Sequence, residues 1–345
     1  MAPAHKPKLQ RKKFKSAAQF LGALSPDNLT FKKYLPQSLV FRGLGCADYP
    51  LLPSAFRTQS FAPFFQERDK YHVDFRMPIP RKTTLAWELE LLLAFIESAN
   101  AQGIELPGYS HALHESLWDD CWAARTLKDT KAIWPKQDYW AVIALAQHHG
   151  IPTRFLDWSF DPLIAAYFAA SRGIDQRDRE LERRKCDPKG RKGCASEVLA
   201  VWVLRKSVDD FDRALVTHGY ERFIHYVSAP GASNRNLVAQ KGLFTFLADW
   251  EEKGPYERLP LDQALLKIPE FYESYHGLPD PLMWKLELPW TEAPELLRLL
   301  ARQNVSAATV FPGLGGIAAS LKERELWSQP HGLWITKPIL TGPPS

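Results

Sequence analysis

A chain of 345 residues with 45% hydrophobic and 12% aromatic side chains carries enough apolar surface for a large core, which excludes an intrinsically disordered protein. A net charge of +5 with 24% charged residues is too small an excess to establish a nucleic-acid partner by itself. No stretch approaches the roughly 20 apolar residues that cross a bilayer, and the basic N-terminus lacks the apolar segment of a secretion signal, so no membrane partner and a cytoplasmic location are expected. Cys46, Cys121, Cys186 and Cys194 are few and scattered, which implies no disulfide framework and fits free thiols in a reducing compartment. The spacing of Cys186 and Cys194 is not a common zinc spacing and no His lies near them, so no metal is expected.

In chain order, residues 1–35 read as a basic N-terminal arm followed by a short helix over 16–24. The first fifteen residues, MAPAHKPKLQRKKFK, are basic without an acid and predict a flexible segment. Ser38 to Arg42 reads as a strand closed by Gly43-Leu44-Gly45, and five prolines make 50–82 a broken connection. Apolar residues at helical spacing from Thr83 to Asn100 predict a helix behind a Thr cap. A second helix over Tyr139–His149 stops at Gly150 and Pro152. Thr153 to Trp158 is extended, and Asp161-Pro162 caps a helix running to Ser171. A charged insertion over 172–196 follows, then strands at 197–204, 242–247 and 282–288, a helix near 292–303, and a last helix behind a Gly-rich turn within 309–321. Strands and helices without regular βαβ spacing predict an α+β fold with a mixed or antiparallel sheet core flanked by helices.

Three places combine costly polar groups with element ends where a ligand can sit. In Phe41-Arg42-Gly43, a strand-end Arg grips phosphate or carboxylate in bidentate fashion, and Gly lets a ligand approach the backbone; a structural ion pair is the competing use. The run from Gln147 to Trp158 packs a His pair, Thr153, Arg154, Asp157 and Trp158 between two helix ends. His148 and His149 are adjacent, so they point about 100° apart on a helix and cannot chelate one metal. Asp157 serves a site or holds a turn, and Trp158 stacks on a flat ring or fills the core. Gln240, just before a hydrophobic strand, binds a sugar hydroxyl or terminates the strand.

These runs resemble the FRG-domain family, named for the Phe-Arg-Gly triplet present at 41–43. QHHGIPTRFLDWSFDPLIAAYFA at 147–169, RNLVAQKGLFT at 235–245 and Phe311 to Gly316 look like that family's further motifs. The resemblance implies a single domain over 36–322 and a C-terminal tail over 323–345. A more distant likeness, to the ADP-ribosyltransferase fold, implies an ADP-ribosyltransferase-like sheet and NAD as substrate. On that likeness Arg42 holds NAD, Phe41, Gly43, Thr153, Arg154, Trp158 and Ser159 shape its pocket, His148 and Asp157 orient ribose or acceptor, and Gln240 contacts the nicotinamide ribose. That family has a Glu where this chain has Gln240. A carboxamide supplies the hydrogen bond without the charge, a loss of on the order of 10²–10³ in rate, unless Asp157 or Glu197 substitutes.

The implied function is an NAD-dependent ADP-ribosyltransferase-like enzyme. It would act as a toxin or phage-defence effector on RNA, DNA or a protein acceptor, with an antitoxin as a further partner. The alternative is a non-catalytic nucleotide- or nucleic-acid-binding module using Arg42 and the two basic segments. In that case deleting residues 1–15 should weaken binding without altering thermal stability. A hydrolase using the histidines with Asp157 lacks a nucleophile in an elbow-like turn.

Overall fold

A computed structural model describes residues 9–28, 30–34, 36–57, 60–65, 81–126, 134–186, 194–206, 224–228, 235–247, 259–267 and 281–326. Among these, seven strands form one sheet: β1 (Leu9–Lys13), β2 (Leu39–Leu44), β3 (Leu156–Ser159), β4 (Val198–Arg205), β5 (Ile224–Val227), β6 (Gly242–Leu247) and β7 (Met283–Pro289). Their spatial order is β1-β7-β4-β2-β3-β6-β5. Only β1 runs parallel to its neighbour, from Leu9 opposite Met283 to Lys13 opposite Glu287; the other described ladders are antiparallel. The helices are α1 (Ala17–Leu24), α2 (Arg81–Ala101), α3 (His111–Thr126), α4 (Trp140–His148), α5 (Pro162–Cys186), α6 (Arg235–Ala239), α7 (Leu261–Lys267), α8 (Ala293–Arg302), α9 (Ala307–Val310) and α10 (Leu314–Glu325). The fold is α+β with a mixed sheet, as the sequence predicts. None of the described helices is long and apolar enough to cross a membrane.

Two of the expectations are corrected. Residues 9–13, read as part of a flexible arm, are an edge strand: alternation is hard to see in Leu-Gln-Arg-Lys-Lys, and the strand exists because β7 offers a free edge to pair with. The helix expected to stop at Ser171 continues through more than half of the charged insertion to Cys186. Ion pairs one turn apart, Arg183 and Arg184 to Glu180 and Lys185 to Glu182, support that extension. Helix α2 also begins two residues before the expected Thr cap.

The sheet has a weak seam. Strands β2 and β4 pair over six positions, from Leu39 opposite Arg205 to Leu44 opposite Ala200, and β3 and β6 over four. Between the halves, β2 and β3 share the single pair Phe41 and Ser159 and then diverge. On one face, the four-stranded half is covered by α1, α5 and α8 through Phe41, Val201, Val203, Trp284, Ala169 and Leu296. On the same face, the three-stranded half is covered by α2, α3 and α4 through Phe155, Phe244, Phe246, Ile96 and Val142. A third cluster, including Val40, Trp202, Leu204 and Ala264 of α7, lies across the opposite face. Two apolar cores side by side over a splayed sheet leave a trough between them.

Gly43 is explained by this packing. A Cβ there would lie 2.0 Å from the Ala165 carbonyl oxygen and 2.6 Å from the Ala169 nitrogen. The glycine expected to admit a ligand instead admits the backbone of α5.

The expectation of free cysteines is also corrected. Cys46, just past β2, forms a disulfide with Cys194 on the approach to β4. Their separation of 148 residues gave no local signal, and it is the packing of α5 over β2 that returns the chain to this point. Cys121 and Cys186 are free, the former buried. Asp48 lies beside the bridge, whose sulfurs offer no thiolate to a metal; its Oδ2 accepts the Ser196 N–H at 2.9 Å.

Candidate functional site

The trough over the seam is a cavity of about 810 Å³, in the size range of small-molecule and cofactor sites. Its lining brings together Phe41, Arg42, Gly43, His148, Asp157, Trp158, Ser159 and Gln240. These come from β2, the end of α4, β3 and the turn before β6, elements far apart in sequence.

Arg42 lies between Val40 and Leu44, which belong to the core on the far face, and is 5% exposed. Where β2 and β3 part, its guanidinium reaches across the gap. Its Nη1 donates to the Asp157 carbonyl at 2.6 Å and pairs with Asp157 Oδ1 at 2.5 Å. Its Nε is buried with no hydrogen-bond partner, an arrangement that is uncommon and costly. Asp157 itself is 46% exposed. Burial alone would raise its pKa, but the charges of Arg42 and Arg172 and the hydrogen bond from Arg42 outweigh it and hold the carboxyl below the usual carboxylate range. The aspartate is therefore ionised at neutral pH.

Two further arginines, neither of them singled out in the sequence, face the same carboxylate. Arg57 follows a short 3-10 turn, Ser54–Phe56, and its Nε donates to the Leu52 carbonyl at 3.0 Å. Desolvation in the cleft and then repulsion from Arg42 lower its pKa to about 10. Arg172 of α5 lies 5.2 Å from the ring centroid of Phe168, and desolvation lowers its pKa also. The signal for Arg172 was the helix stripe: Ala165, Phe168 and Arg172 line the cavity at the i, i+3, i+7 spacing of one face. Arg57, in a Pro-broken connection, had none.

His148 ends α4, and Gly150 continues with φ +87°, the left-handed geometry expected there. The His148 Nε2 lies 2.8 Å from the Asn236 amide nitrogen of α6. Because an amide NH₂ only donates, Nε2 is the acceptor and the ring is neutral with its proton on Nδ1. Desolvation, then the charge of His149, lower the His148 pKa, which keeps a proton acceptor available at neutral pH. His149 turns away to stack against Phe95 at 6.3 Å, so the pair divides as the 100° offset requires.

The remaining candidates hold the walls. Ser159 Oγ donates to the Gln240 carbonyl at 2.7 Å and accepts the Asp161 N–H at 2.9 Å, fixing the turn that carries Gln240. The Gln240 carboxamide donates to the Val310 carbonyl at 3.4 Å. Trp158 is 3% exposed and donates its indole N–H to Thr245 Oγ1 at 2.8 Å, so it is a wall built from the core rather than an open stacking platform. Thr153 and Arg154 do not line the cavity. Thr153 Oγ1 bonds to Gln147 at 2.5 Å, and Arg154 makes a buried ion pair of 2.6 Å with Glu88 while donating to the Trp134 carbonyl. Glu197, weighed as a substitute carboxylate, pairs with Arg184 and lies outside the lining.

A mixed sheet split at its centre, with a cleft over the split lined by Arg42, Arg57, Arg172 and Arg179, defines the class as an α+β protein with an arginine-lined trough. Residues 37–178 match the FRG domain family model, and the chain carries an FRG domain over that stretch. That match ends within α5, and β4 to β7, which complete the sheet, follow it. No curated protein and no solved structure matches the chain.

Proposed function

We propose that the cleft binds NAD and transfers its ADP-ribose, as an ADP-ribosyltransferase-like enzyme of the cytoplasm with a nucleic-acid or protein acceptor. The observation that carries this reading is the convergence of Arg42, His148, Asp157 and Gln240 on one cavity, from three stretches far apart in the sequence. Arg42, beside its unpartnered Nε, binds the anionic part of the substrate. Asp157, ionised and half exposed, sits where positive charge develops as the glycosidic bond to nicotinamide breaks, and stabilises it electrostatically. Neutral His148 accepts the proton of the attacking acceptor group at Nε2, where that group takes the place of the Asn236 amide. Gln240 positions the ribose by hydrogen bonding without adding charge.

A toxin or phage-defence role follows from NAD consumption: such an enzyme harms its own cell unless an antitoxin restrains it. The basic stretch after Ser171 supports nucleic-acid retention less well, since Arg177, Arg183, Arg184 and Lys185 each have an acidic partner nearby.

The test is incubation of labelled NAD with cell extract or RNA, reading nicotinamide release and label transfer. Wild type should show both, Asp157→Asn and Arg42→Gln neither, and Gln240→Glu should be faster than wild type. No release by wild type or by Gln240→Glu, where a control transferase works, overturns the proposal.

A further inference from the structure

The cleft holds more positive charge than its own carboxylates balance. Four arginines, Arg42, Arg57, Arg172 and Arg179, line it against two aspartates, Asp157 and Asp175, an excess of two charges. We propose that Arg57 and Arg172 complete with Arg42 a receptor for a diphosphate group, so that the cleft selects nucleoside diphosphates and their derivatives over monophosphates and uncharged nucleosides. This deepens the NAD reading and rests on it only for the identity of the ligand.

Three observations carry the assignment. The first is the buried Arg42 Nε without a partner, in a side chain 5% exposed that lines the cavity; an acceptor oxygen supplied by a ligand removes that cost. The second is preorganisation. Arg57 is tied through its Nε to Leu52, Arg172 is seated over Phe168, and Arg42 is held by Asp157, so little side-chain entropy remains to be lost on binding. The third is mutual repulsion. Arg42 lowers the pKa of both Arg57 and Arg172, and Asp157 is a single negative charge among the three. One phosphate pairs with one or two guanidinium groups, whereas a diphosphate can satisfy three. A cluster needed only to neutralise Asp157 would not require the second and third arginines.

The experiment is calorimetric titration of the full chain with inorganic pyrophosphate, ADP, AMP and adenosine. Pyrophosphate and ADP should bind, AMP should bind about tenfold or more weakly than ADP, and adenosine should not bind. Arg57→Gln and Arg172→Gln should each weaken ADP binding roughly ten- to a hundredfold, with unchanged melting temperature because both heads sit in the mouth of the cleft. Should either variant melt early, Arg57→Lys and Arg172→Lys keep the charge without the planar fork, and intermediate weakening is expected. Equal affinity for ADP and adenosine, no binding of either, or unaltered ADP affinity in folded variants overturns the proposal. The two readings fail separately. Tight ADP binding lost in these variants, without nicotinamide release by wild type, retains the diphosphate site and removes the transferase. Nicotinamide release with ADP affinity indifferent to Arg57 and Arg172 does the reverse.

Discussion

Two arginines of this chain are nearly equally buried, Arg42 at 5% and Arg154 at 4% exposure, and each holds a carboxylate at hydrogen-bond distance. Their surroundings assign them opposite work. Arg154 meets Glu88, itself 4% exposed, with Nε and Nη2, and gives Nη1 to the Trp134 carbonyl. Both charges are enclosed among α2, the approach to α4 and the lead-in to β3. Arg42 meets a carboxylate that is half open to a cavity, keeps an Nε without a partner, and has two more arginines for neighbours. A closed pair is a strut; an open, over-charged one suits the receptor proposed above. The test of function in a buried ion pair is therefore whether its partner sees solvent and whether the local charge closes.

The comparison breaks most sharply at Arg154. Arg154→Met removes the cation that neutralises the buried Glu88, and should cost about 3–5 kcal/mol of stability, read as a drop in the denaturant midpoint. Ligand affinity of the remaining folded protein should change little. Arg42→Gln should behave the other way round. Nucleotide binding or turnover should fall by on the order of 10²–10³, while stability falls by only about 1 kcal/mol, since Asp157 keeps contact with solvent. A variant pair with those two outcomes exchanged would reverse the assignment of strut and receptor.

Next in size is the edge of the sheet. Deleting residues 1–15 was expected to leave stability untouched if they were a loose arm. Within that stretch, Leu9–Lys13 pair with β7 as β1 over five positions, and Phe14 packs edge-on to Phe20 of α1 at 5.6 Å. Lost backbone bonds and apolar burial should together cost about 3 kcal/mol, seen as a lower melting temperature with the cleft chemistry intact. An unchanged melting temperature would return the segment to the status of an arm.

Much of the cleft was legible in the residues. The motif runs placed Arg42, His148, Asp157 and Gln240, and the structure gathers all of them, because costly polar groups at element ends have few other uses. What was not legible has a common physical reason: it depends on partners distant in sequence. Arg154 read like Arg42 because Glu88, sixty-six residues away, cannot be paired with it from spacing. Gly43 read as a ligand's doorway because nothing in the strand tells that α5 crosses it within 2.0 Å. The Cys46–Cys194 bridge, the β1–β7 ladder and the places of Arg57 and Arg172 likewise depend on segments distant in sequence meeting in the fold. Regular elements with strong periodicity, such as α4 and β4, were predicted within a residue or two.

The smallest effect separates the two histidines as the first separated the two arginines. His148 is neutral and accepts from Asn236, with a pKa lowered by desolvation first and by His149 second. The unfolded chain therefore takes up a proton at this site before the folded one does. Its contribution to stability is present above about pH 6.5 and declines as pH falls below that value. Asp157 adds a separate window: its folded pKa is depressed, so its contribution holds above about pH 4 and is lost only on stronger acidification. His149 stacks on Phe95 and touches His148 ring to ring at 5.4 Å. His149→Gln removes the like charge and should move the His148 midpoint, followed by NMR of its ring protons, upward toward the ordinary value. Asn236→Ala, by removing the donor that favours the neutral ring, should do the same. A wild-type midpoint above neutral pH, insensitive to both substitutions, would mean that His148 is charged at neutral pH, and the proton acceptor of the cleft would have to be sought elsewhere.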